Sequence, residues 1–163
     1  ATLKIPIIYD TSVVCAQSDV WPEAKANFSA KLQCNSNESG FKSRECSGST
    51  NPGTWGPINS QCVNTGIWTL LTEAQNLQKG CGLVQENANS LFSNLKMKSE
   101  TQIINSLPNI NVTVNILDTL HNASEIQNST FNASMLTNFV KTSSNLLNDS
   151  LLDTWKGPAT EAS

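Results

Sequence analysis

The chain has 163 residues and a net charge of −3, with 14% charged and 38% apolar residues. Soluble domains usually carry nearer a quarter charged residues, so solubility here must rest on neutral polar groups. With no basic block, nucleic acid and anionic membranes fit poorly as partners, and no apolar run approaches the ~18 residues that a spanning helix needs.

The chain lacks an initiating Met and a signal peptide, and reads as a mature fragment or one piece of a larger protein. Residues 1–10, ATLKIPIIYD, read as an extended lead-in, since Pro6 opposes a helix. Residues 11–63 form the first domain. They hold Cys15, Cys34, Cys46 and Cys62 and show little apolar periodicity. A segment of about 50 residues is too small to stand on a hydrophobic core alone. Two disulfides, each closing about 30 residues, would contribute ~2–4 kcal/mol apiece. No cysteines have CxxC spacing, and His121 is the only histidine, so no metal or cofactor is expected. Four cysteines allow three pairings, and sequence alone does not choose among them.

Rough polar–apolar alternation predicts strands at SAKLQC, 29–34, and FKSREC, 41–46, joined through a turn-rich 35–40. The result is a hairpin pinned by sulfur. Trp55 stands in the polar loop CSGSTNPGTWGPINSQC, 46–62. With little other apolar mass available, Trp21 and Trp55 are expected to cover the disulfides; the alternative is a ligand-facing Trp55.

Residues 66–155 change grammar to sustained helical periodicity, and 156–163 form a tail. One helix is predicted over 67–79, stopped by Gly80-Cys81-Gly82, with Trp68 among its apolar residues. A second spans 83–97, from Leu83 to Met97. A short helix containing Ile103, Ile104 and Leu107 ends before Pro108, and another covers 109–120. Residues 121–130 read as an exposed loop. The last helix is predicted over 132–155, with a buried stripe of Met135, Phe139, Leu146 and Leu147 and with Asn148 facing solvent. The fold class is therefore a small disulfide-stapled β module followed by an all-α helical subdomain.

Asn-x-Ser/Thr acceptors occur at Asn27, Asn37, Asn111, Asn122, Asn128, Asn132 and Asn148. Seven in this length imply a glycosylated chain on the secretory pathway, although an Asn/Ser-rich composition also produces such tripeptides by accident. The cysteines fit the same compartment.

The series Cys15, Trp21-Pro22, Cys34, Gly40, Arg44, Cys46, Gly53, Trp55 and Cys62 resembles the hormone-receptor motif (HormR) module of secretin-type and adhesion G-protein-coupled receptors. The helical stretch that follows, opening IWTLLTEAQNL and closing near Trp155, is similar to subdomain A of the GAIN domain of adhesion receptors. The resemblance implies bonds Cys15–Cys46 and Cys34–Cys62, with both tryptophans against the sulfurs. Arg44 would stack on an indole or, alternatively, lie exposed on its strand. Hormone-binding modules carry an extra cysteine just before Trp-Pro; Val20 stands there in this chain, so the four-cysteine adhesion form is the better match. The partners implied are the remainder of the GAIN domain and receptor, and an extracellular protein ligand. Any self-cleavage belongs to sequence beyond Ser163, because His121 is followed by Asn122 rather than by a cleavage motif.

Catalytic chemistry finds little purchase. One histidine in a sequon-bearing segment does not make a Ser-His-Asp set, Asp149 and Asp153 at i,i+4 read as a solvated helix face, and GTWG lacks a phosphate-cradling context. The leading reading is a non-enzymatic extracellular receptor segment acting as a spacer and interaction module at the outer face of the plasma membrane. The alternatives are a secreted binding glycoprotein and a peptide-hormone capture module. Cys81, the odd cysteine, is expected to be a buried thiol where two helices meet; the alternative is a disulfide to a cysteine elsewhere.

Overall fold

The computed structural model of the chain describes residues 12–100 and 103–156; the lead-in over 1–10 and most of the tail lie outside that range. In chain order the strands are β1 (Val14–Cys15), β2 (Ala24–Lys25), β3 (Ser29–Gln33), β4 (Glu38–Ser39), β5 (Phe41–Ser47), β6 (Thr54–Ser60) and β7 (Val63–Asn64). The helices are α1 (Thr65–Gln78), α2 (Val84–Glu100), α3 (Leu107–Ile126), α4 (Ala133–Leu146) and α5 (Leu152–Lys156). The fold class is the expected one: small antiparallel sheets with two disulfides, then helices. The described residues divide into two compact units, one from 12–33 with 41–60, the other from 34–40 with 61–156.

In the first unit, β1 pairs with β2, and a three-stranded antiparallel sheet runs in the order β3-β5-β6. Side chains on β3 alternate, with Ala30 buried between exposed Ser29 and Lys31. The third strand was not expected. The sequence around Trp55 reads as a loop because Gly56 and Pro57 break any alternation, yet Trp55 lies on β6 opposite Cys46. The register slips between Arg44 and Cys46, where β6 holds one residue more than β5. The buried apolar residues of this unit are Cys15, Trp21, Ala30 and Cys46. So thin a core needs the Cys15–Cys46 bond that links two of its four members.

In the second unit, β4 pairs with β7, and Cys34–Cys62 joins the segments that carry them. Gly40 closes the segment at φ 114°, a left-handed backbone; a β-carbon there would run into the Gln61 carbonyl oxygen. Asn64 then caps α1, its Oδ1 accepting from the Gly66 and Ile67 amides. The first helix packs mainly on α3, and α2 mainly on α4. Their shared core contains Ile67, Phe92, Leu95, Ile110, Ile116 and Leu120, each fully buried. Phe92 sits edge-on to Phe131 and Phe139, with centroids 5.1 and 6.2 Å away. Trp68 (46% exposed) and Leu83 (58%), which the pattern placed among core positions, are largely outside it.

The helix ends depart from expectation for identifiable reasons. Pro108 begins a helix instead of following one: Ser106 caps α3, and Pro108 occupies its first turn, where no amide partner is required. The same helix continues through 121–126, which the paired sequons had suggested was a loop. Ile116, Leu120 and Ala123 keep a buried stripe running into that turn. The expected single helix over 132–155 is broken. Asn148 Oδ1 accepts from the Ser150 amide at 2.9 Å, a local bond that competes with the helical one and opens a short 3-10 turn, Asp149–Leu151. Leu147, placed on the buried stripe by phase, is 75% exposed. The Trp155 indole N–H on α5 donates to the Leu146 carbonyl at 2.7 Å, satisfying one of the open acceptors at the end of α4.

Nothing in the sequence pattern marks Asn109. It is 4% exposed; its Oδ1 accepts from the Asn64 amide and its Nδ2 donates to the Ile103 carbonyl, tying the start of α3 to β7. Thr142 of α4 is the opposite case, fully buried with no hydrogen-bond partner for its hydroxyl. Removing such an unmatched group while keeping its shape should help, so Thr142→Val is expected to stabilise the helical unit by about 1 kcal/mol. Chemical unfolding measures this, and a loss of stability would show that the hydroxyl has a partner after all.

Candidate interaction surfaces

Of the motif residues of the first unit, Gly53 lies on its disulfide and Trp55 pairs with Cys46 across the sheet. Cys15 and Cys46 are bonded, as are Cys34 and Cys62 in the other unit, which is the pairing the family resemblance implied. Gly53 lies against the first bond: a β-carbon there would stand 2.9 Å from Cys15 Sγ and 3.2 Å from Cys46 Sγ. Its amide donates to the Val14 carbonyl, and Asn51 Oδ1 accepts from the Val14 amide, so the 48–53 turn is stitched to β1. Trp21 is 4% exposed. Trp55 is half-buried, its indole N–H donating to the Ala16 carbonyl at 2.8 Å.

Arg44 is also half-buried and meets Trp55 as a cation over a ring, the guanidinium carbon 5.6 Å from the ring centroid. Its Nε donates to the Gly56 carbonyl at 2.7 Å, next to the register slip. The Arg44–Trp55 pair thus forms a fixed, partly open polar-aromatic surface, the sort of group that anchors protein contacts. Val20 and Phe28, at 72% and 65% exposed, add apolar surface to this unit.

The second unit carries an apolar groove of about 610 Å³. One wall comes from α3, with Val114, Leu117, Asp118 and His121; Phe131, Phe139 and Leu147 contribute from in and around α4, and Trp155 from α5. A sequence scan misses this groove, because its residues come from four segments and because 132–155 reads as one straight helix. Asp118 is held by Asn122, whose Nδ2 donates to Oδ2 at 3.2 Å. His121 Nε2 lies 3.6 Å from Glu125 Oε1, an exposed i,i+4 pair. The groove can bind apolar and stacking groups. Among the described residues no three His, Cys, Asp or Glu side chains gather as metal ligands would, and no helix is long and apolar enough to cross a membrane.

Six of the seven sequon asparagines are exposed, and Asn122 is half-buried. Asn132 and Asn148 each cap a helical segment through Oδ1. A glycan attaches at Nδ2, so capping and glycosylation are compatible. Asn27 and Asn128 occupy left-handed turn positions at φ 68° and 47°.

The buried-thiol expectation for Cys81 is corrected by the structure: Cys81 is an exposed free cysteine. It ends α1 through its backbone. The Cys81 amide donates to the Asn76 carbonyl and the Gly80 amide to the Leu77 carbonyl, a Schellman closure with Gly80 at φ 84°. That geometry fixes the main chain at residue 81 and leaves the side chain outside the core. Cys81 is therefore expected to react with a maleimide in the folded protein, at a rate unchanged by denaturant to within about threefold. Labelling that waits for unfolding would return it to the core.

No known protein-family profile matches the chain. Over 96 residues it is 28% identical to human adhesion G-protein coupled receptor F3, an alignment covering 57% of this chain and 9% of the receptor. The chain thus spans a small fraction of the relative's length, and the relationship is a loose, adhesion-receptor-like one. It is compatible with an extracellular receptor segment, and the two disulfides are consistent with that location.

Proposed function

We propose that this chain is a non-enzymatic, N-glycosylated extracellular segment of an adhesion-type G-protein-coupled receptor. It consists of a hormone-receptor motif module over 11–63 and a helical GAIN subdomain A over 66–155, and it serves as spacer and interaction module ahead of the signalling part. The observation that carries the reading is the pair of disulfides, Cys15–Cys46 and Cys34–Cys62, in the order of the motif, in a chain with adhesion-receptor similarity. Seven sequon asparagines at exposed or half-exposed positions support a secretory route. The Arg44–Trp55 surface, with the exposed Val20 and Phe28 of the same unit, is the best candidate for contact with an extracellular protein ligand. Peptide-hormone capture has less support, since Val20 stands exposed where hormone-binding modules carry a further bridging cysteine.

The deciding test is the coding sequence downstream of Ser163, with surface labelling of its product on intact cells. Seven apolar spans and antibody access to this segment without permeabilisation are the expected result. A stop codon shortly after Ser163, with the product recovered from the medium, would replace the receptor by a secreted glycoprotein.

A further inference from the structure

The apolar groove on the helical unit is flanked by acceptor sites. Three groove-lining residues, His121, Phe131 and Leu147, are each followed directly by a sequon asparagine: Asn122, Asn132 and Asn148. The link at Asn122 is also spatial, because its Nδ2, the atom that would carry the sugar, contacts the groove residue Asp118. Asn132 and Asn148 stand at the two ends of α4, which at 1.5 Å per residue is about 21 Å long. Sites on α3 and at both ends of α4 therefore adjoin the lining of the groove. Between them lie exposed apolar side chains, Leu147 at 75% and Leu136 at 49%, and a partly open Trp155 at 38%.

An apolar patch of this kind on a chain with so little surface charge needs a cover. We infer that the cover is the protein's own carbohydrate: the inner sugars of the N-glycans on Asn122, Asn132 and Asn148 lie over the groove. Pyranose rings suit it chemically. Their C–H faces stack on aromatic rings such as Phe131, Phe139 and Trp155, while their hydroxyl edges keep the outer surface wetted. A broad protein partner suits it poorly, since it would have to displace branched sugars at three adjoining sites. The inference rests on the N-glycosylation proposed above and adds to it a place and a task for three of the seven sites.

The test uses the whole chain secreted from cultured eukaryotic cells. Glycans are removed from the folded protein by an amidase, which leaves aspartate at each site and so keeps an oxygen acceptor at the Asn132 and Asn148 caps. Binding of an anilinonaphthalene sulfonate dye should rise about threefold or more, with helical circular dichroism unchanged. A variant carrying Asn122→Gln, Ser134→Ala and Ser150→Ala, which abolishes the three acceptor sites and retains both caps, should show the same rise. Ser29→Ala with Asn37→Gln, which removes two sites that adjoin no groove-lining residue in sequence, should not. If mass spectrometry finds glycans on the three asparagines but dye binding does not respond to their removal, the cover is something else and this inference fails alone. Sugars elsewhere but none on these three also overturn it. A chain bearing no glycan at all overturns both this inference and the glycosylation it rests on.

Discussion

Replacing Phe92 with alanine is expected to lower the stability of the helical unit by about 4 kcal/mol. Phe92 is fully buried on α2 and touches the rings of Phe131 and Phe139 edge-on. Truncation removes the transfer free energy of a phenyl group and leaves a hole in the layer between α2 and α4. Three rings that meet edge to face cannot close over such a hole without losing the geometry that makes them attractive. Phe92→Leu keeps most of the volume and should lose less than half as much. Urea unfolding followed by far-ultraviolet circular dichroism measures both, with an unchanged slope indicating that only stability has moved. A loss below about 1 kcal/mol for the alanine variant would mean that the layer collapses freely, and that Phe92 is not its centre.

The second large effect concerns the first unit. Replacing Cys15 and Cys46 together with serine is expected to unfold that unit while the helical unit stays intact. A unit of roughly 40 residues commands only about 2–6 kcal/mol in total. The bond closes a separation of 31 residues, and its loss should remove about 3–4 kcal/mol. Two of the four buried apolar residues would be polar in the variant, and Gly53, which packs on the sulfurs, would face two hydroxyls. Hydrogen exchange separates the units: amides of β3, β5 and β6 should lose protection, and those of α1 and α3 should keep theirs. Retained protection on β5 in the double variant would show that Trp21 and the sheet suffice without the bond.

What was legible followed from how local each signal is. The strands β3 and β5 could be read because exposed and inward residues alternate along SAKLQ and the chain turns at Gly40. The third strand could not. Its pairing with β5 depends on Arg44 reaching the Gly56 carbonyl and on the disulfide beneath Gly53, both of which act between residues remote in sequence. In the helical half, buried stripes on α1 and α2 are visible in the sequence, but Pro108 resembles a stop when Ser106 makes it a start. The break after α4 is written in Asn148, whose side chain serves as a cap as well as a sequon acceptor, and the sequon is the louder of the two signals. The groove depends on that break: without it Leu147 and Trp155 would follow one helix phase, and α5 would not fold back to reach Leu146. The position of Cys81 between helices suggests burial, whereas a Schellman closure settles the backbone and releases the side chain.

The two disulfides interleave along the chain, and this has a mechanical consequence. Cys15–Cys46 and Cys34–Cys62 act as two knots joined by three parallel cords, the stretches 15–34, 34–46 and 46–62. A single backbone cut in any one cord leaves the other two, so a protease nick there cannot release a fragment until a bond is reduced. Under tension the shortest cord, 34–46, draws taut first and shields the longer 46–62 cord that carries Trp55. Pulled at its ends, this stretch of chain yields only a few tens of ångströms before covalent bonds bear the load, and it behaves as a short inextensible link in whatever line of force passes through it.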